Sequence, residues 1–292
     1  MTSEFASRRH QQLHLAYREE LSPARAIKAA RRTGRWLRSA RLSCDQLDRA
    51  FDEVSLACEA LWDLWSTDEA VRIATVWFRA VERVRDKDPD AVRRGLRDAQ
   101  AHRLLARALH RAKSQDAWHH VCCAYDRLCD MAGGPKTLSA LVRSDPYGEI
   151  SATYALLLGI AIPAARRRKG AEDRGLGERF LGDALAFAHR FATDRDHDVR
   201  RYHAVVAMLF HAVCARKRPQ DRSLVDLLLL LDDRARPRDQ RGEVTRFVVW
   251  AAYCAYLGDD AEAERFERLS TEALLTAEMY RHVTELRLHR AA

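Results

Sequence analysis

The sequence predicts an all-α protein: a series of antiparallel helical hairpins stacked as an α-solenoid, with a compact multi-helix bundle as the alternative arrangement. Only 12 glycines and 7 prolines interrupt 292 residues. No window shows the sustained apolar and polar alternation that a half-buried strand needs. Breaks recur at helix-length intervals, at "LSP" (21–23), "STDE" (66–69), "DKDPD" (86–90), "GGP" (133–135), "SDPYG" (144–148), "KGAEDRGLG" (169–177), "DRDHD" (194–198), "KRPQD" (217–221), "RPRDQRG" (236–242) and "GDD" (258–260). They leave about ten helices joined by short loops, the pattern of hairpins in series.

The opening stretch "MTSEFASRRHQQLHLAYREE" is polar and charged, without the apolar core of a secretory leader, so a cytoplasmic location is expected. The next element, "SPARAIKAARRTGRWLRSARL" (22–42), has a well-marked start, with Ser22 placed as N-cap and Pro23 at the first helical position. Around that helix Arg25, Lys28, Arg31, Arg32, Arg35 and Arg38 share one side, and Ala26, Ile27, Ala30, Leu37 and Ala40 the other. Like charges at this spacing repel by a few tenths of a kcal/mol per pair, so an uncompensated face is mildly costly unless something anionic meets it. Trp36 lies at the edge of the face, where it can stack on a base or nest at an interface. These seven residues are the candidate nucleic-acid or polyanion site. The alternatives are an acidic protein partner, a solvated face, or neutralisation by "DQLDRAFDEVSLACEAL" (45–61) folding back on it.

Further on, "AWHHVCCAYDRLCDMAGG" (117–134) concentrates two histidines, three cysteines and two aspartates. On a helix, at about 100° per residue, His119, Cys122, Cys123, Asp126, Cys129 and Asp130 fall inside one arc of roughly 120°. His119, Cys122 or Cys123, and Asp126 are therefore the metal-ligand candidates. A closed structural zinc site, however, usually draws ligands from a turn plus a distant helix, and no second tight Cys or His pair completes this one. Cysteine also packs as a small hydrophobe, so the segment reads as a packing helix with Cys in the core and His and Asp at its edge.

The longest apolar run, "ISATYALLLGIAIPAA" (150–165), is shorter than the roughly 20 residues that cross a bilayer and contains Pro163, so it reads as a buried helix and no membrane association is expected. Basic groups follow at turns, "RRRK" (166–169), "RKR" (216–218) and "RARPRDQR" (234–241), either lining one edge of a stack or satisfying helix C-termini.

Two stretches of the second half repeat. "DHDVRRYHAVVAMLFHAV" opens on Asp198-Val199-Arg200 and "GEVTRFVVWAAYCAYLG" on Glu243-Val244 with Arg246, so Val199 and Val244 stand 45 residues apart (244 minus 199). The acidic residue, Val and Arg at the start of first helices resemble HEAT repeats, whose period is about 40–47 residues. Near the end, "AYCAYLGDDAEAERFERLSTEAL" (252–274) is similar to a tetratricopeptide repeat through Tyr253, Leu257, Gly258, Asp259, Glu262, Ala263 and Phe266. What both resemblances imply is the α-solenoid architecture. The expected organisation is an N-terminal helical region (1–145) carrying the basic helix and a C-terminal helical-repeat region (146–292), in one continuous elongated unit.

Charge narrows the function classes only a little. Lys+Arg of 50 against Asp+Glu of 42 gives a net charge of +8, which permits an acidic partner without requiring one. Lysine occurs only at 28, 87, 113, 136, 169 and 217, so the positive charge is almost all arginine. The seven cysteines are odd in number and, outside 122–129, lie one per helix, as reduced thiols do.

Catalytic signals are poor. Asp232-Asp233 resembles the paired aspartates of all-helical prenyl-transfer enzymes, but the third acid in register is missing and Arg234 and Arg236 intervene. His197-Asp198 lacks a matching upstream His, and "GGPKT" (133–137) lacks a P-loop's strand and spacing. Asp232, Asp233 and His203 are the least ill-placed residues for a metal-dependent enzyme. The expectation is a non-catalytic scaffold or regulatory module, without cofactor, that binds a protein partner. A nucleic-acid-binding regulator using the 22–42 helix is the second reading.

Overall fold

The computed structural model describes residues 7–145, 148–165, 168, 170–193, 247, 250–251, 254–255 and 258–272. Every regular element among them is helical. The chain divides into two compact units, one of residues 1–89 with 237–292, the other of residues 90–236. The first boundary between the units falls at 89/90. Within the second unit, α8 (Glu149–Ala165) packs on α5 (Ala91–Arg111) and α6 (Asp116–Ala132).

In the first unit, α1 (Arg8–His14) runs into a π-helical turn, Leu15–Glu19, and is followed by α2 (Pro23–Ser39), α3 (Cys44–Asp63) and α4 (Thr67–Val84). Helix α3 packs against α1, α2 and α4. Its start is set by a capping box: Ser43 Oγ accepts from Gln46 N–H at 3.4 Å while Gln46 Oε1 accepts from Ser43 N–H at 2.9 Å. The core is closed by Leu13, Tyr17, Leu37, Leu47, Leu61 and Trp77, all fully buried.

Buried acids on α3 fasten the N-terminal segment. Glu53 accepts from Ser7 Oγ, from Arg9 Nε at 2.9 Å and from Thr33 Oγ1 at 2.8 Å. Further along the same helix, Asp63 accepts from Tyr17 OH at 2.8 Å, and Glu59 accepts from Arg18 at 3.0 Å. Carboxylates removed from water are tolerated here because each finds hydrogen-bond donors.

In the second unit α5 and α6 form the most extensive helix pair. Then come α7 (Pro135–Ser144), α8 and α9 (Ala171–Thr193). Helix α8 is apolar on nearly every side, as a surrounded helix must be. It touches α5, α6, α7 and α9. An aromatic cluster ties α6, α8 and α9: Tyr125 meets Phe180 edge-on at 5.1 Å between ring centroids, and Tyr154 at 5.9 Å. The polar ends are satisfied. Trp118 Nε1 donates to Asp173 at 2.8 Å, and Tyr154 OH and Ser139 Oγ both donate to Asp183, at 2.7 and 3.0 Å.

Helix α9 begins at Ala171, inside the expected break at 169–177. Its Gly177 lets the two helices approach so closely that an added Cβ would stand 2.9 Å from Ala165 Cβ. No described helix is long and apolar enough to cross a membrane.

The HEAT-like stretch 198–246, the turns at 216–218 and 234–241, and Asp232, Asp233 and His203 lie outside the described residues. Of the tetratricopeptide-like stretch, Gly258 takes φ +79° at a helix end, Ala263 is fully buried on α10 (Asp260–Glu272), and Phe266 stacks on Trp250 at 5.9 Å.

Candidate nucleic-acid interface

Helix α2 buries Ala26, Ala29, Ala30, Thr33, Gly34 and Leu37 against the unit. That stripe fixes its rotation, and so Arg25, Lys28, Arg31, Arg32, Arg35 and Arg38 all emerge on the outer side, every one exposed. The segment 45–61 does fold back on α2, but it does so on the buried side, where Glu53 reaches Thr33. It does not cover the cations. Pro23 opens the helix as the sequence predicts, while the Ser22 hydroxyl makes no capping hydrogen bond.

Two of the six cations are neutralised, by acids outside 45–61. Arg25 pairs with Glu20. Arg31 donates two hydrogen bonds to Glu69 of α4, from Nε at 2.9 Å and from NH2 at 2.8 Å, the bidentate geometry that suits a planar guanidinium. That pairing is the main reason Glu69 is held below the usual carboxylate range; Arg72 and Arg38 add to it and partial burial opposes it. Arg32 reaches the amide of Gln12 at 3.4 Å. Lys28, Arg32, Arg35 and Arg38 have no carboxylate within 4.0 Å among the described residues. Four cations thus face outward over about 15 Å of helix, at 1.5 Å per residue from 28 to 38.

Trp36 is half-buried at the edge of this face. The Arg9 guanidinium lies 4.1 Å over its ring, a cation–π contact with the same arginine that bonds Glu53. Linear periodicity could not find this, since the partner belongs to another helix. Arg41, just past the end of α2, and Arg72 on α4 are exposed and extend the positive surface.

The His and Cys cluster on α6 has a different character. Val121, Ala124, Tyr125, Leu128 and Cys129 are buried, Cys122 and Cys123 half-buried, His119 and Asp126 exposed. His119, Cys122 and Asp126 are not gathered: His119 Nε2 lies 3.7 Å from Cys123 Sγ instead, and no described trio of His, Cys, Asp or Glu is placed to share an ion. Burial, with Asp126 and Asp173 nearby, pushes the Cys122 thiol up to about 11, and burial raises Cys123 and Cys129 as well. Protonated thiols are weak ligands and weak nucleophiles. His120 contacts His102 of α5, Nδ1 to Nδ1 at 2.9 Å, and burial and His119 lower its basicity while Asp116 opposes them.

Compared with protein-family models, with curated proteins and with solved structures, the chain matches none. The protein is all-helical, with a basic helix face on its first unit.

Proposed function

We propose that the protein is a non-catalytic binding module that docks the outer face of α2 on the phosphate backbone of a nucleic acid. The observation that carries the reading is the exposure of all six α2 cations, of which Arg25 and Arg31 alone are held by carboxylates among the described residues. Five of the six are arginines, whose fork matches phosphate oxygens.

The wider reading, a scaffold for a protein partner, has less to stand on. Among the described residues the exposed large apolar side chains are Leu15, Trp65, Val92 and Leu156. Each sits on a different element, so no described helix turns an apolar stripe outward.

The test is a salt titration of affinity for a labelled oligonucleotide. With four cations engaged on duplex DNA, log affinity falls with log salt at a slope near −3.6, about a 150-fold loss between 50 and 200 mM. The double variant Arg32→Glu with Arg35→Glu abolishes binding at low salt and leaves the far-ultraviolet helix signal unchanged. Salt-insensitive binding, or none by the parent protein, overturns the proposal.

A further inference from the structure

Helix α4 lies beside the basic face of α2, in a register fixed at three places. Arg31 bonds Glu69. A Cβ at Gly34 would stand 2.8 Å from Ile73 Cδ1, and just beyond α2 the Cys44 thiol reaches the Val84 carbonyl at 3.9 Å. The offset grows only from 38 to 40 residues (69 minus 31, 73 minus 34, 84 minus 44), so the two helices run in the same direction along a common seam.

The buried Ala70, Ala74, Trp77 and Val81 fix the rotation of α4. Arg72, Arg79 and Arg83, spaced by seven and then four residues, fall together on the opposite side, one step round from the seam positions Glu69, Ile73 and Val76. All three are exposed, and none has a carboxylate within 4.0 Å among the described residues. Arg72 is steered by its own helix, its Nε donating to the Asp68 carbonyl at 3.3 Å. On α2 the pattern is mirrored: Arg31 and Arg38 border the seam, and Lys28 and Arg35 stand one step outward. Arg38 from one helix and Arg72 from the other both hold Glu69 down, so the two rows meet across the seam.

The strip between the rows is not basic. It presents Glu69, already engaged by Arg31, and the half-buried Val76. One phosphate chain laid along the strip meets a carboxylate and an aliphatic side chain; laid on either row, it leaves the other row unused. Two backbones with a groove between them use both. Packed helices stand about 8–10 Å apart, a span that long arginine side chains can fit to the two edges of the B-form minor groove, about 6 Å wide. In A-form RNA that groove is wide and shallow. Unpaired bases find little to stack on here: of the aromatics on α2 and α4, Trp77 is buried, Phe78 and Trp36 are half-buried, and Arg9 lies over Trp36.

We propose that α2 and α4 together straddle the minor groove of duplex DNA, with Lys28, Arg32, Arg35 and Arg38 on one backbone and Arg72, Arg79 and Arg83 on the other. This rests on the polyanion reading of α2 and adds to it a second helix and a double-stranded ligand.

The test is a salt titration of affinity for a labelled DNA duplex of about two helical turns, for one of its strands alone, and for an RNA duplex of the same sequence. With seven cations engaged, log affinity for the DNA duplex falls with log salt at a slope near −6.3, where the four α2 cations alone give about −3.6. The double variant Arg79→Gln with Arg83→Gln removes two contacts at exposed positions. Its slope is expected to shorten by about 1.8 and its duplex affinity to drop roughly 60-fold at about 0.1 M salt, with the parent's melting temperature. The single strand and the RNA duplex are each expected to bind at least roughly tenfold more weakly than the DNA duplex. If the Gln pair binds the DNA duplex as the parent does while Arg32→Glu with Arg35→Glu abolishes binding, the inference falls and the α2 face stands. If the parent binds no nucleic acid at low salt, both fall. A single strand bound as tightly as the DNA duplex overturns the double-stranded ligand, and an RNA duplex bound as tightly overturns the assignment to the B-form groove.

Discussion

Glu53 shows most clearly what one residue does in this fold. It is 2% exposed and collects Ser7, Arg9 and Thr33, so it joins the first helix, α2 and α3 through a single carboxylate. Removing it leaves Thr33 without its buried acceptor and Arg9 without its ion pair. Glu53→Ala is therefore expected to cost about 3 kcal/mol, read as a lower denaturant midpoint at unchanged slope, whereas an unchanged midpoint would show the clasp to be idle. The acidic segment around Glu53 is legible in sequence as something that folds back on α2. Which side of α2 it meets is not, because that depends on how Thr33 and Gly34 are buried, a matter of three-helix packing.

At the level of helices, glycine spacing separates tight from forgiving contacts. A Cβ at Gly34 would stand 2.8 Å from Ile73 Cδ1, across α2 and α4; at Gly177 it would meet Ala165 Cβ at 2.9 Å. Ala165 cannot yield without moving its helix. At Gly95 the neighbour is the Met131 sulfur at 2.9 Å, on a flexible chain that can swing aside. Gly177→Ala and Gly34→Ala are each expected to destabilise by about 1–3 kcal/mol, and Gly95→Ala to be neutral or slightly stabilising through helix propensity; thermal melts of the three separate these outcomes. Helix existence is well legible in sequence, since breaks at 21–23, 66–69, 86–90, 133–135 and 258–260 all fall between helical segments. The breaks at 40–43 and 112–115 are harder to see. The first carries a Ser43 and Gln46 capping signal, but the second turns on Lys113, a residue with no left-handed preference to advertise.

Across the whole chain, the division into units follows contacts that sequence order hides. Residues 1–89 are grouped with 237–292, and 90–236 stand between them. Deleting 237–292 is therefore expected to lower the stability of the first unit and leave that of 90–236 unaltered. Hydrogen exchange resolves the two: protection lost in α3 and kept in α6 is the expected result, and uniform loss would contradict the division. The basic face was legible because one helix carries it and its period is local. The exposed Trp65 was not, since whether a tryptophan faces water depends on the chain around it.

The Arg31–Glu69 pair makes part of that basic face behave unlike the rest. Glu69 is a counter-ion tethered to the chain, where Lys28, Arg32, Arg35 and Arg38 have no carboxylate within 4.0 Å among the described residues. Raising ionic strength crowds the free cations with solution anions but changes little at Arg31, whose partner is already present at an effective concentration no buffer reaches. A phosphate arriving there exchanges places with a carboxylate and adds no net charge neutralisation. The middle of α2 thus acts as a fixed neutral point between charged flanks, and the number of ions released on binding counts fewer arginines than the sequence displays.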